Sequence, residues 1–85
     1  GGASAAFDRL NKYFTISNMP VASSQYWNQV HGNTPEEVRR DLEGLQTMRT
    51  LAANLAWMLR CREAAGNAGV RPPEYEPRVG TNFIR

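Results

Sequence analysis

The sequence predicts an α/β class in a helix-dominated form, with two main helices and one short edge strand. Three observations carry this. Phe7, Leu10 and Phe14 recur at i, i+3 and i+7, the spacing of one helical face. Thr34-Pro35-Glu36-Glu37 opens a longer run whose apolar residues also step at helical spacing. Between them, Met19-Pro20-Val21-Ala22-Ser23 reads as a short extended segment that needs a sheet to pair with.

The first helix is expected over Ala3 to Phe14. Ala3 and Ala6 extend its apolar face, and Asp8, Arg9, Asn11 and Lys12 take the other side. Thr15-Ile16-Ser17-Asn18 loses the period, and Asn18 is a helix stop. Pro20 lacks a ladder donor and biases Met19 toward extended geometry, which suits a strand start or a sheet edge. Ser23 to Gly32 then crowds two serines, three amides, Tyr26, Trp27 and the single histidine, His31, into a polar aromatic loop.

The second helix has the clearer start. The Thr34 hydroxyl is placed to accept from the N–H of Glu37, and the Glu37 side chain to reach back to the Thr34 N–H. Pro35 at the first helical position loses no hydrogen bond, and Glu36 and Glu37 suit the positive helix end. Val38, Leu42, Leu45, Met48, Ala52, Leu55 and Leu59 follow, and the pattern reaches about Ala65. Gly66, Asn67 and Gly69 end it, and Pro72-Pro73 forbid a restart. Gly44 costs about 1 kcal/mol inside a helix. It therefore marks a kink, a junction or a close approach. The tail, 70–85, is irregular, with three prolines and no period, and its apolar residues suggest a segment lying over a partner.

Eighty-five residues make one small domain, and a chain of this size buries only about 60% of its unfolded surface. Cys61 has no partner cysteine, so no intrachain disulfide adds stability. Association with another chain is the expected support. A lone thiol without a secretory leader suggests a reducing, cytoplasmic setting. No apolar run approaches the length of a membrane span. The net charge is +2, but the arginines interleave with acids, which reads as a solvated surface and not as a nucleic-acid stripe.

The chemistry narrows by elimination. His31 has neither a second histidine nor a cysteine nearby, so no metal site is expected. Ser23 and Ser24 lack a nucleophile elbow and an orienting acid. Glu36 and Glu37 are explained by the helix start. What remains is a strand-to-helix loop, the place where open α/β folds bind ligands. Tyr26 and Trp27 offer flat faces to a planar heterocycle, while Ser23, Ser24, Gln25 and Asn28 could read its polar edge. The alternative is that both aromatics anchor the loop on the last helix or on a second subunit. Met48, Trp57, Met58 and Cys61 read as packing residues. Gly1-Gly2 is either a turn that approaches a ligand through its backbone or a frayed start.

Several segments resemble one family in order. They are Phe7-Asp8-Arg9-Leu10, Ser17-Asn18-Met19-Pro20-Val21, Ser23-Ser24-Gln25-Tyr26-Trp27-Asn28, Val30-His31-Gly32, Asp41 to Arg49, and Thr81-Asn82-Phe83-Ile84-Arg85. Together they look like the C-terminal part of the flavodoxin-like NAD(P)H-dependent FMN reductases, the group of multimeric flavodoxins and iron–sulfur flavoproteins. The resemblance implies a doubly wound five-stranded parallel sheet with FMN at the strand ends. This chain would supply the fourth helix, the final edge strand and the last helix. The family's phosphate-cradling loop and its first flavin-covering loop lie upstream of the matching residues, so the chain reads as a fragment, a single incomplete domain over 1–85.

On the same resemblance, Gly1 and Gly2 match the end of a glycine loop near the flavin ring. Tyr26, Trp27 and His31 match a loop near the flavin or the adjoining subunit. The cluster-binding cysteines of the iron–sulfur branch lie upstream, so no metal is implied here. The implied function is part of an FMN-dependent NAD(P)H oxidoreductase, inactive as the isolated chain, with no catalytic residue assigned. The alternative is a small helical self-association module without catalytic activity. Either way an oligomer is expected, since the long helix is apolar on too many sides.

Overall fold

The structure is a computed structural model and describes residues 2–83. It contains α1 (Ala3–Ile16), α2 (Pro35–Arg40) and α3 (Leu42–Asn67). Among the described residues there is no strand and no sheet, which overturns the α/β class and the flavodoxin-like edge strand expected above. Residues 19–24 do run without a turn or bend. A strand exists only through its neighbour's hydrogen bonds, and none of the described residues offers 20–22 a backbone partner. The flanking backbone groups are used otherwise: Met19 N–H caps α1, and Ser23 C=O accepts from Asn54 Nδ2 at 2.8 Å.

Helix α1 runs two residues beyond Phe14 before it stops. Asn18 takes a left-handed φ of 58°. Its N–H donates to Thr15 C=O, and that of Met19 to Phe14 C=O. This paired pattern is a Schellman cap, and asparagine tolerates the conformation it needs. The end of α3 repeats it around Gly69, φ 84°, with Gly69 N–H on Gly66 C=O and Val70 N–H on Ala65 C=O. Both stops are local chemistry, which is why the sequence shows them.

The long second helix is two helices. Thr34 caps α2 as expected, its Oγ1 accepting from Glu37 N–H at 3.2 Å. The Glu37 carboxylate differs from expectation, reaching Asn33 N–H at 2.7 Å instead of Thr34 N–H. Asp41 then leaves the helical region at φ −76°, ψ 80°, and caps α3 by accepting from Gly44 N–H at 3.0 Å.

Packing is sparse. Only Gly44 and Thr47 reach full burial among the described residues, and no apolar side chain does. Leu10, Ile16, Leu42 and Trp57 are each more than half exposed. An open apolar groove of about 480 Å³ lies between α1, residues 19–22 and α3, lined by Phe7, Leu10, Phe14, Met19, Val21 and Leu51 among others. The radius of gyration is 18.1 Å, against roughly 12 Å for a compact chain of this length. No helix among the described residues is long and apolar enough to cross a membrane.

Candidate functional site

The loop from Ser23 to Gly32 is held to α3 by a polar stripe. Gln46, Thr50 and Asn54 recur every four residues and so share one helix face. Gln46 Oε1 accepts from Gln25 Nε2, and Thr50 Oγ1 donates to Gln25 Oε1, both at 2.8 Å. Asn54 holds Ser23 C=O. At the loop's far end, His31 N–H donates to Asp41 Oδ2 at 2.7 Å, while Asp41 Oδ1 caps α3. Inside the loop, Ser24 Oγ lies between the Tyr26 carbonyl, at 2.7 Å, and the Asn28 side-chain amide.

Two glycines let this loop sit where it does. A Cβ on Gly44 would lie 2.9 Å from Val30 Cα and would crowd Asp41 Oδ2. A Cβ on Gly32 would lie 2.6 Å from the backbone N of Val38. Of the three roles expected for Gly44, the junction and the close approach are both met: the helix breaks at Asp41, and Gly44 is the contact surface for the returning loop.

Trp27 pairs with two neighbouring rings, Phe7 at 5.3 Å between ring centroids and Tyr26 at 6.2 Å, with both pairs tilted. These separations are those of favourable aromatic pairs. Phe7 therefore links α1 to the loop. Tyr26 and Trp27 nevertheless stay 55% and 47% exposed.

The site residues read from the sequence do not share one cavity. Tyr26 and Trp27 line a cleft of about 300 Å³ with Phe7, Ser23, Ser24 and Asn28. His31 lines a smaller one of about 190 Å³ with Gln29, Asp41 and Thr47, and Tyr26 reaches both. Gly2 starts α1 with φ 79° and lines neither cleft. Gly1 lies outside the described residues. Ser24, Gln25 and Asn28, expected to read a ligand's polar edge, are engaged in holding the loop together. Phe7 and the Gln46/Thr50/Asn54 stripe were missed. The four-residue polar repeat was a legible signal for the latter.

Electrostatically, Asp41 is the distinctive group. The Gly44 N–H first, and the His31 N–H second, hold its carboxyl below the ordinary carboxylate range. Its pKa falls on folding, so its contribution is fully present above the unfolded value, near pH 4, and is lost as pH falls through the folded one. Acidification below about pH 4 is expected to release the loop. Trp27 emission in a Trp57→Phe background follows it, and Asp41→Asn removes that acid transition. Gln29 Oε1 is buried and finds no hydrogen-bond partner among the described residues. Among those residues no three His, Cys, Asp or Glu side chains are grouped to hold a metal ion.

Compared with protein families, with curated proteins and with solved structures, the chain matches none.

Proposed function

We propose that this chain acts as a flavin-facing helical part of an FMN-dependent NAD(P)H oxidoreductase, the remaining parts being supplied by further polypeptide. One observation carries the reading: a loop tied to α3 and Asp41 leaves its adjacent Tyr26 and Trp27 about half exposed. Hydrogen bonding so dense around two exposed rings makes a platform whose ordering cost is already met before a ligand arrives. The resemblance of Ser23-Ser24-Gln25-Tyr26-Trp27-Asn28 and Val30-His31-Gly32 to the FMN reductases points the same way.

The residues fit one part of FMN. The 300 Å³ cleft stands at the lower end of ligand-pocket sizes. It has Trp27, backed by Phe7, to cover a ring face, with no lysine or arginine in its wall to hold a phosphate. The ring is accommodated here and the phosphate elsewhere. FMN, when bound, supplies the hydride chemistry. Trp27 and Tyr26 orient the ring and exclude water from its covered face, while Asp41 and the α3 stripe keep them in place. An isolated chain is accordingly expected to bind flavin weakly and not to turn over.

The test is a titration with FMN and, separately, riboflavin, followed by flavin fluorescence. The two flavins are expected to bind alike, since the phosphate adds nothing, and Trp27→Leu is expected to abolish binding. Tighter binding of FMN than of riboflavin, or binding that survives Trp27→Leu, would place recognition elsewhere.

A second reading is a helical self-association module. It is favoured by the absence of any buried apolar side chain among the described residues. Neither flavin would then bind, and the chain would still sediment as an oligomer.

A further inference from the structure

The chain leaves α3 into Arg71-Pro72-Pro73-Glu74-Tyr75-Glu76-Pro77. Proline locks its own φ near −65°, and the residue before a proline is driven to extended ψ. Pro72 meets both constraints, which together define polyproline II, and Pro73 meets the first. Glu76, before Pro77, is held extended as well. Polyproline II needs no partner strand and makes no internal hydrogen bond. Accordingly, 70–82 carry no helix, turn or bend, and no backbone hydrogen bond among the described residues engages 71–83.

A polyproline II helix turns once in three residues, rising about 9 Å. Continued through Glu74, it sets Pro72 and Tyr75 on one face, with Pro73 beside them. Both prolines are exposed, and Tyr75 is 71% exposed. The prolines also line an open cleft of about 370 Å³ with Ala65 and Val70. The bond from Val70 N–H to Ala65 C=O, at 2.8 Å, fixes the point where the segment departs from α3.

We infer that Pro72-Pro73-Glu74-Tyr75 is a docking motif for a partner domain with an aromatic-lined groove, the mode in which WW domains take proline-rich chain. Each element of the motif suits that groove. Proline rings are rigid and apolar, and without an N–H they bring no donor to desolvate. Their carbonyls stay free to accept from donors in the groove wall. Tyr75 adds a large apolar body with a hydroxyl tip that takes a partner when buried. With the proline conformation preset, little beyond Glu74 and Tyr75 is left to order on binding, which keeps the cost low. Spacing sets aside the related Pro-x-x-Pro mode. No two of the prolines at 20, 35, 72, 73 and 77 stand three residues apart, and Tyr75 takes the place of the second. Arg71 and Arg78 balance Glu74 and Glu76, so the rings and not net charge carry the contact. The inference rests on neither reading of the aromatic loop.

Titration of the full chain into an isolated WW domain that selects Pro-Pro-x-Tyr, followed by the domain's amide shifts, tests it. An SH3 domain, which selects Pro-x-x-Pro, is titrated in parallel. Saturable binding to the WW domain and none to the SH3 domain is the expected result. Pro73→Ala and Tyr75→Ala are each expected to weaken binding at least about tenfold, as for the loss of a buried anchor. Tyr13→Ala removes a tyrosine from α1 that is 70% exposed, and it is expected to leave the affinity unchanged. Circular dichroism at 222 nm, expected to be equal in all variants, separates a lost contact from a lost fold. No saturable binding to the WW domain, binding that survives Tyr75→Ala, or equal binding to the SH3 domain would overturn the inference.

Discussion

Gly44→Ala is expected to destabilise the chain, while Gly66→Ala, in the same helix, is expected to stabilise it. Intrinsic propensity alone predicts a gain of up to about 1 kcal/mol at both, since glycine is the poorer helix former. The surroundings decide the sign. A Cβ on Gly66 meets nothing within 4 Å, so the propensity gain stands. A Cβ on Gly44 meets Val30 Cα at 2.9 Å and the Asp41 carboxylate. The first is backbone, which no side-chain rotation relieves, and overpacking of this kind costs about 1–3 kcal/mol. The second is the acceptor that ties His31 to the start of α3. Losing that tie adds to the overpacking, so Gly44→Ala is expected to cost about 1–3 kcal/mol net. Urea titration followed at 222 nm and by Trp27 emission reads both variants. A stabilised Gly44→Ala would mean that the loop does not lie on α3 as described.

Gly32→Ala is expected to be at least as damaging, and for a different element. Its Cβ would meet Val38 N at 2.6 Å and Val38 Cγ2 at 2.7 Å. Its φ of 159° is also one that side chains rarely adopt. The methyl group must push the loop away from α2 or unwind the first turn of α2. Either response strips the cap made by Thr34 Oγ1 and the Glu37 carboxylate, and a lost cap costs about 0.5–2 kcal/mol. With the clash added, a loss of about 2–4 kcal/mol is expected, with α2 melting first. Nuclear magnetic resonance amide shifts of Val38 and Asn33 report this. Their persistence in Gly32→Ala would show that the loop and α2 are independent.

How far the sequence was legible follows the range of each interaction. The Asn18 and Gly69 stops, the Thr34 cap and the special status of Gly44 are set within a few residues, and they read correctly. The break at Asp41 is equally local. It was masked because the apolar period runs on across Val38 and Leu42 without a gap. The edge strand failed for the opposite reason. Met19–Ser23 has the composition of a strand, but a strand is a relation between two segments, and none of the described residues supplies the second. The site sits between these cases. Tyr26 and Trp27 were visible as exposed chemistry. The engagement of Gln25 with α3 depends on contacts 21 and 25 residues apart in the chain, whereas Ser24 and Asn28 are tied within the loop, four residues apart. His31 looked like part of the aromatic site, yet its backbone is what the fold uses, and the neighbouring cleft keeps it apart from Trp27.

The claim at the centre of the account is that the Tyr26–Trp27 platform receives a flavin ring. The most direct test is an FMN titration of the Trp57→Phe variant, which leaves Trp27 as the sole indole. Saturable quenching of Trp27 emission with a dissociation constant of about 0.1–1 mM, the range open to a ring bound without its phosphate, is the expected result. Quenching that only rises linearly with FMN, without saturation, would contradict it.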